Sequence, residues 1–306
     1  MQPQFVYSPE FTAIAIAYRN TKLIADFVLP RVIVGKKQFK YTEYPIADGF
    51  MLQDTLFPKK GTPNMVDFGG VEVANMTVDY GLDDTVSNDD IDNAPEGSNL
   101  EGKSVEYVTD LVALAREVRT AAVVFNAANY ASSNTLALTG TAKFSDYINS
   151  HPLAVLNECL DTPLIRPNTM SLGRREWTKL SMHPEIVKAA NGNSGDSGIA
   201  SRARVAELLE LDNILVGEGW LNTAKKGQTA VMQRVWGNHI SLTYLNPLAD
   251  TQRGVTFGFT AQYGTKQAGS TPVGVGINGS MLVRSAESIK ELIIAKDVGF
   301  LLEDVI

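Results

Sequence analysis

A single cysteine, Cys159, stands among 306 residues. No disulfide can form within the chain, so stability has to come from packing or from partner chains, in a compartment that can be reducing. Histidine is nearly as scarce. His151, His183 and His239 lie far apart, and no set of Cys and His falls at zinc-binding spacing. His151-Pro152 and His183-Pro184 read as helix starts and His239 sits in a strand pattern, which favours structural roles. Long apolar runs are missing too: Phe11 to Tyr18 (FTAIAIAY) is too short to span a bilayer, so no membrane partner is expected. Positive charge is in deficit, with 27 Lys and Arg against 34 Asp and Glu, a net charge of -7. Such a surface repels a polyanion and argues against sequence-independent nucleic-acid binding.

The common catalytic signatures are absent as well, including G-x-S-x-G, H-E-x-x-H and the phosphate loop. Gly274 to Gly279 fits G-x-G-x-x-G, yet Thr271-Pro272 precedes it and the strand-like Met281-Leu282-Val283 follows, the wrong context for a dinucleotide turn. Asn88, Asp90 and Asp92 resemble the start of a calcium loop, but Asn93 takes the place of its turn glycine and Asn99 that of its closing glutamate. Cys159, between Leu156 and Leu160, reads as a small buried hydrophobe. No catalytic residue, metal or cofactor is expected, and the chain does not read as an enzyme.

What is present is a long helical stretch, residues 100–129, around which the chain is organised. Val108, Leu111, Val112, Ala115, Val118, Ala122, Phe125 and Asn129 recur at steps of three and four, an apolar stripe on one side of a helix about 45 Å long. Glu106, Asp110, Arg116, Glu117 and Arg119 are expected to keep its first half wet. Ser98 and Glu101 have capping-box spacing at its start. Before it, residues 1–32 form an arm whose apolar groups, Phe27 and Leu29 among them, are too many for a short segment to bury alone. Residues 33–78 read as a two-stranded projection around a poorly periodic tip rich in Gly and Pro. Such a limb exposes backbone and apolar surface that argues for a partner.

Charge is unevenly distributed. From Asp79 to Asp110 there are ten acids, including Asp83, Asp84, Asp89 and Asp90, against the single base Lys103. Lys36, Lys37, Lys40, Lys59 and Lys60 fall in the projection. These basic and acidic groups, with Phe27 and Leu29, are the candidate assembly-interface residues: the lysines of one copy are expected to meet the acids of a neighbour. Residues 146–245 alternate short helices and strands, an α/β pattern. Residues 246–306 turn to β, with Gly264 to Gly279 read as a Gly-rich connection.

This order of parts resembles the major capsid proteins of tailed phages, the Hong-Kong-97-type α+β fold. Local signatures are Ala25-Asp26-Phe27-Val28-Leu29-Pro30-Arg31-Val32, Leu114-Ala115-Arg116-Glu117-Val118-Arg119, Thr169-Met170-Ser171-Leu172-Gly173 through Trp177, Leu180 and His183-Pro184, Ile214-Leu215-Val216-Gly217, and Val235-Trp236-Gly237-Asn238. The resemblance implies an N-terminal arm (1–32), an extended loop (33–78), a peripheral domain with its spine helix (79–145), an axial domain (146–245) and a terminal β segment returning to the peripheral domain (246–306). It implies a structural subunit that self-assembles as hexamers and pentamers into an icosahedral shell around double-stranded DNA, without sequence-specific binding. It further implies a virion location, assembly in the host cytoplasm, a portal, a separate scaffold protein (the arm begins almost at once) and, in some members, a decoration protein. An encapsulin-like nanocompartment shell and an α/β enzyme are the rival expectations.

Overall fold

A computed structural model of the chain describes residues 5–43, 50, 52, 54–56, 61–65, 71–192, 198–225, 227–251 and 253–306. Its axis is the helix Leu100–Val124, about 37 Å long at the usual rise. The cap is Asn99, whose Oδ1 accepts the Gly102 N–H at 2.7 Å. The expected Ser98–Glu101 capping box does not form, and Ser98 Oγ is buried with no partner. The close approach of the Asn99 amide to Gly102 leaves no room for a side chain there, so a glycine at the third position suits an asparagine cap.

The helix also stops five residues earlier than expected. Phe125 is its C-cap, and a 3-10 turn, Ala127–Asn129, follows. The last carbonyls are satisfied by side chains beyond the end: Asn129 Nδ2 donates to Val123 O and Tyr130 Oη to Val124 O. The buried stripe is rotated from the one apolarity suggests. Val105, Val108, Thr109, Val112, Arg116, Glu117, Thr120, Ala121 and Val124 face inward, whereas Ala115 and Ala122 are exposed. Arg116 and Glu117, expected in water, are among its most buried residues, because each meets partners of opposite polarity on the arm.

One face of this helix lies on a four-stranded sheet with the order Arg31–Val34, Gly258–Val273, Ser280–Ile293, Val78–Ser87. Its middle is a long antiparallel hairpin, Gly258 against Ile293 through Val273 against Ser280. The stretch from Gly264, read as a loop, is thus largely strand, interrupted by a register shift between Tyr263 and Gln267 where Gly264 takes φ +67°. The G-x-G-x-x-G segment is the turn of this hairpin, with no helix after it.

The second sheet has five strands in the order Thr135–Ala137, Gly299–Glu303, Ile240–Thr243, Thr169–Gly173, Asn213–Gly217. The strands Ile240–Thr243 and Thr169–Gly173 are buried throughout, and the sheet is covered by the helices Pro152–Asp161, Arg174–Ser181, Pro184–Asn191 and Arg202–Leu208. Leu156, Leu160, Met170, Leu172, Leu180 and Ile240 form the heart of this core. The last strand of the chain lies here, between Ile240–Thr243 and Thr135–Ala137. A two-stranded ribbon pairs Gln38–Glu43 with Val71–Met76 over six residues, and its Phe39, Tyr41 and Val73 pack with Phe259, Ala261 and Leu292 of the first sheet.

Candidate assembly interface

The arm is strapped to the body by hydrogen bonds. Its helix, Pro9–Ala17, lies against the strand Gly258–Val273: Ser8 N–H and Thr12 Oγ1 both donate to Ala268 O, at 3.0 and 3.1 Å. Farther on, the Glu117 carboxylate accepts the backbone N–H groups of Ile24 and Ala25 at 2.8 and 2.7 Å and the Trp236 indole N–H at 2.5 Å. It thereby caps the short helix Ala25–Val28 from outside. Its neighbour Arg116 pairs with Asp26 and donates to Leu29 O and Thr260 Oγ1. Two adjacent residues of the long helix therefore clamp the arm.

This clamp sets the local titration. Burial pushes the Glu117 pKa up against the pull of its three donors and Arg116. Burial would raise Asp26 as well, but the Arg116 and Arg31 guanidiniums outweigh it and hold its pKa at about 2. Arg31 also pairs with Glu287 at 2.7 Å, tying the arm to the sheet.

The arm thus covers much of its own apolar surface, which the sequence reading did not expect. Ile24, Val28 and Leu29 pack with Ala121, Val124 and Trp236. Leu29 is completely buried within its own chain and drops out as an interface candidate, whereas Phe27 is 60 % exposed. The charged candidates divide in the same way. Lys37 pairs with Asp79 and Lys40 with Glu72, both across the hairpin base or ribbon. Asp83 takes a two-pronged contact from Arg284 at 2.6 Å, Asp84 accepts Ser104 Oγ, and Asp89 accepts Asn278 Nδ2. Lys37, Lys40 and Asp83 thus meet opposite charges inside one subunit, whereas Asp84 and Asp89 are held by neutral donors. Lys36 and Asp90 are exposed and make no ion pair among the described residues. Lys59 and Lys60 lie outside the described residues.

The tip of the projection is uncovered. Leu52, Leu56 and Met65 are almost wholly exposed, and Phe50 is 66 % exposed. Burying such side chains is worth about 1.5–3 kcal/mol each, so their exposure leaves an unusually apolar surface on the single chain. A cavity of about 640 Å³ opens between the arm, the long helix and the strand Gly258–Val273.

An arrangement among the described residues that resembles a catalytic pair is structural. Ser150 Oγ lies 3.0 Å from His183 Nε2, but His183 Nδ1 accepts the Glu185 N–H, so the ring proton sits on Nε2 and points at the serine. Ser150 Oγ itself donates to Asp146 O at 2.6 Å. The imidazole therefore cannot act as the base for that hydroxyl. Burial lowers the His183 pKa, in keeping with a neutral ring. Cys159 is buried, its thiol pushed up to about 12 by burial and by Glu158, which makes it unreactive. Among the described residues no cluster of three or more His, Cys, Asp or Glu is placed to hold a metal, and no helix is long and apolar enough to cross a membrane.

No protein-family model matches the chain. The major capsid protein of Pseudomonas phage JBD67 is 47% identical over 303 residues, covering 99% of this chain and 98% of that protein. A phage-related protein from Bordetella bronchiseptica RB50, known from its crystal structure, superposes with a TM-score of 0.77 at 22% identity over 99% of this chain and 98% of that one. The capsid of cyanophage P-SCSP1u superposes with a TM-score of 0.56 at 11% identity, over 99% of this chain and 91% of that one.

Proposed function

The chain belongs to the major capsid proteins of phages, with the Hong-Kong-97-type fold, and on that premise we propose that it self-assembles as hexamers and pentamers into an icosahedral shell around double-stranded DNA. The observation that carries this reading is the 47% identity to a phage major capsid protein along practically the whole of both chains. That relative favours a virus shell over a nanocompartment. Two physical features support it. Among the described residues, Leu52, Leu56 and Met65 of the tip have no cover in their own chain, as suits a subunit whose stability is shared with neighbours. The net charge of -7 suits a wall from which packed DNA can leave, since a basic wall would bind it.

In this reading residues 1–32 are the arm, 33–78 the extended loop, 79–145 the peripheral domain with its spine, 146–245 the axial domain and 246–306 a terminal β segment. The subunit is structural and not a catalyst. A separate scaffold protein and a portal complete assembly in the host cytoplasm, and a decoration protein is an optional addition. The test is expression of the chain with its scaffold, followed by gradient sedimentation and electron microscopy. Uniform closed particles of many copies are expected; a persistent monomer or small oligomer would overturn the reading.

A further inference from the structure

Two adjacent parallel strands, Thr169–Gly173 and Asn213–Gly217, end side by side where Gly173 pairs with Gly217. A charged residue follows each at once: Arg174, which begins the helix Arg174–Ser181, and Glu218. Glu218 gathers three guanidiniums. Arg174 Nη1 and Arg202 Nη2 lie 3.4 and 3.9 Å from the same carboxylate oxygen, Oε1, and Arg234 Nη1 donates to the Glu218 carbonyl at 3.1 Å. The Glu218 N–H donates to Lys22 O at 3.2 Å, which brings the arm alongside. Glu176, a second acid at this edge, is buried and accepts the Asn238 N–H. Three arginines therefore surround one exposed carboxylate on a chain whose net charge is -7.

That glutamate does not saturate them. At 3.4 and 3.9 Å its contacts with Arg174 and Arg202 are too long for hydrogen bonds. The two guanidiniums, 44 % and 46 % exposed, donate no hydrogen bond among the described residues. Arg284 is different, since both of its prongs are taken by Asp83. Beside the open pair, the short hairpin of Trp220–Asn222 with Met232–Arg234 sets Trp220 opposite Arg234. The Arg234 guanidinium lies 3.9 Å from the centre of the Trp220 ring, and Trp220 is 46 % exposed. An indole held by a cation and half open to solvent is a flat surface for another ring to lie on.

We propose that the patch of Arg174, Arg202, Arg234 and Trp220 is where each subunit touches the sugar–phosphate backbone of packaged duplex DNA. The proposal rests on the shell reading above and adds to it the surface that faces the genome. The planar fork of an arginine matches two oxygens of one phosphate, and phosphate contacts carry no sequence information. Carboxylates of an acidic polypeptide would suit the arginines equally well. The half-exposed indole beside them favours nucleic acid, whose sugars and base edges offer flat surface in register with the phosphates. The acidic surface around the patch keeps each contact weak. Repeated by every copy of the shell, such contacts hold the duplex by number and release it one at a time.

The test is binding of a fluorescent duplex of about 20 base pairs to the full chain, followed by anisotropy across a salt series. Arg174→Glu with Arg202→Glu should weaken binding at least about tenfold at low salt and flatten the slope of log K against log salt by about 2, since each phosphate contact contributes about 0.9. Lys36→Glu with Lys103→Glu, a charge-matched pair at exposed positions outside the patch, should change binding less than about threefold. Melting temperatures follow the folding of each variant. Equal weakening by both pairs, or by neither, would overturn the contact. Polyglutamate at matched charge and inorganic phosphate at matched ionic strength should displace little of the duplex. Strong displacement by the first would assign the patch to an acidic protein, and by the second to a small anion; either would overturn the proposal. In empty particles, Lys22→Cys beside the patch should react with a small maleimide and not with one carrying a bulky polymer, whereas labelling by the bulky reagent would place the patch outside the shell and overturn it. Particles that form without these results overturn this contact alone. Absence of particles from the parent chain would overturn the shell reading itself, and the packaged DNA with it.

Discussion

At the scale of single residues, the arm depends on two adjacent side chains of the long helix. Glu117→Ala would leave the Ile24, Ala25 and Trp236 N–H groups buried without an acceptor. At typical costs for unsatisfied buried donors the subunit should lose about 3 kcal/mol or more, read by chemical denaturation. Acid should act through Asp26. Its pKa is lowered to about 2 from 3.8, so its contribution is fully present above the ordinary carboxylate value and lost as pH falls from about 4 towards 2. Glu117, raised by burial, contributes with the opposite sign. Protection factors of residues 24–29, corrected for the intrinsic exchange rate at each pH, should therefore fall over that acid window in the parent chain and hold steady in Asp26→Asn. These two residues escaped the sequence reading because charge was equated with exposure. Their helical position held the signal, since Val105, Thr109, Val112, Arg116 and Thr120 follow one another at steps of three and four.

At the scale of elements, Trp236 joins the two sheets. It is fully buried, lies edge-on to Phe125 with ring centroids 5.2 Å apart, and is flanked by glycines on two strands. A Cβ on Gly217 would stand 2.1 Å from its ring, and one on Gly173 2.1 Å from its carbonyl. Gly217→Ala should accordingly cost about 1–3 kcal/mol through overpacking, measured as a fall in melting temperature. Element type was largely legible where periodicity was strong, as in the long helix and the strands Thr169–Gly173 and Ile240–Thr243. It was misread where glycine marks a bulge and not a loop: Gly264 interrupts a strand that runs on to Val273. Composition alone cannot separate those cases, because the pairing strand that decides between them lies elsewhere in the chain.

At the scale of the whole molecule, the order of parts carried the family, while the pairing of charges did not emerge from sequence. Lys37, Lys40 and Asp83 looked like partners for another copy, and each finds an opposite charge within its own subunit. Among the described residues, what the single chain leaves open includes Phe27 on the arm and Leu52, Leu56 and Met65 on the tip, beside the unpaired Lys36 and Asp90. Assembly should therefore tolerate added salt better than a purely ionic interface would, because apolar burial is not screened. Sedimentation of capsomers and shells across a salt series checks this. The most direct test of the central claim, that this surface is completed by neighbouring copies, is a cryo-EM reconstruction of the assembled particle. The account predicts closed shells in which residues 50–65 lie on an adjacent subunit with Leu52 and Leu56 buried. Particles in which those residues fold back on their own subunit, or remain in solvent, would contradict it.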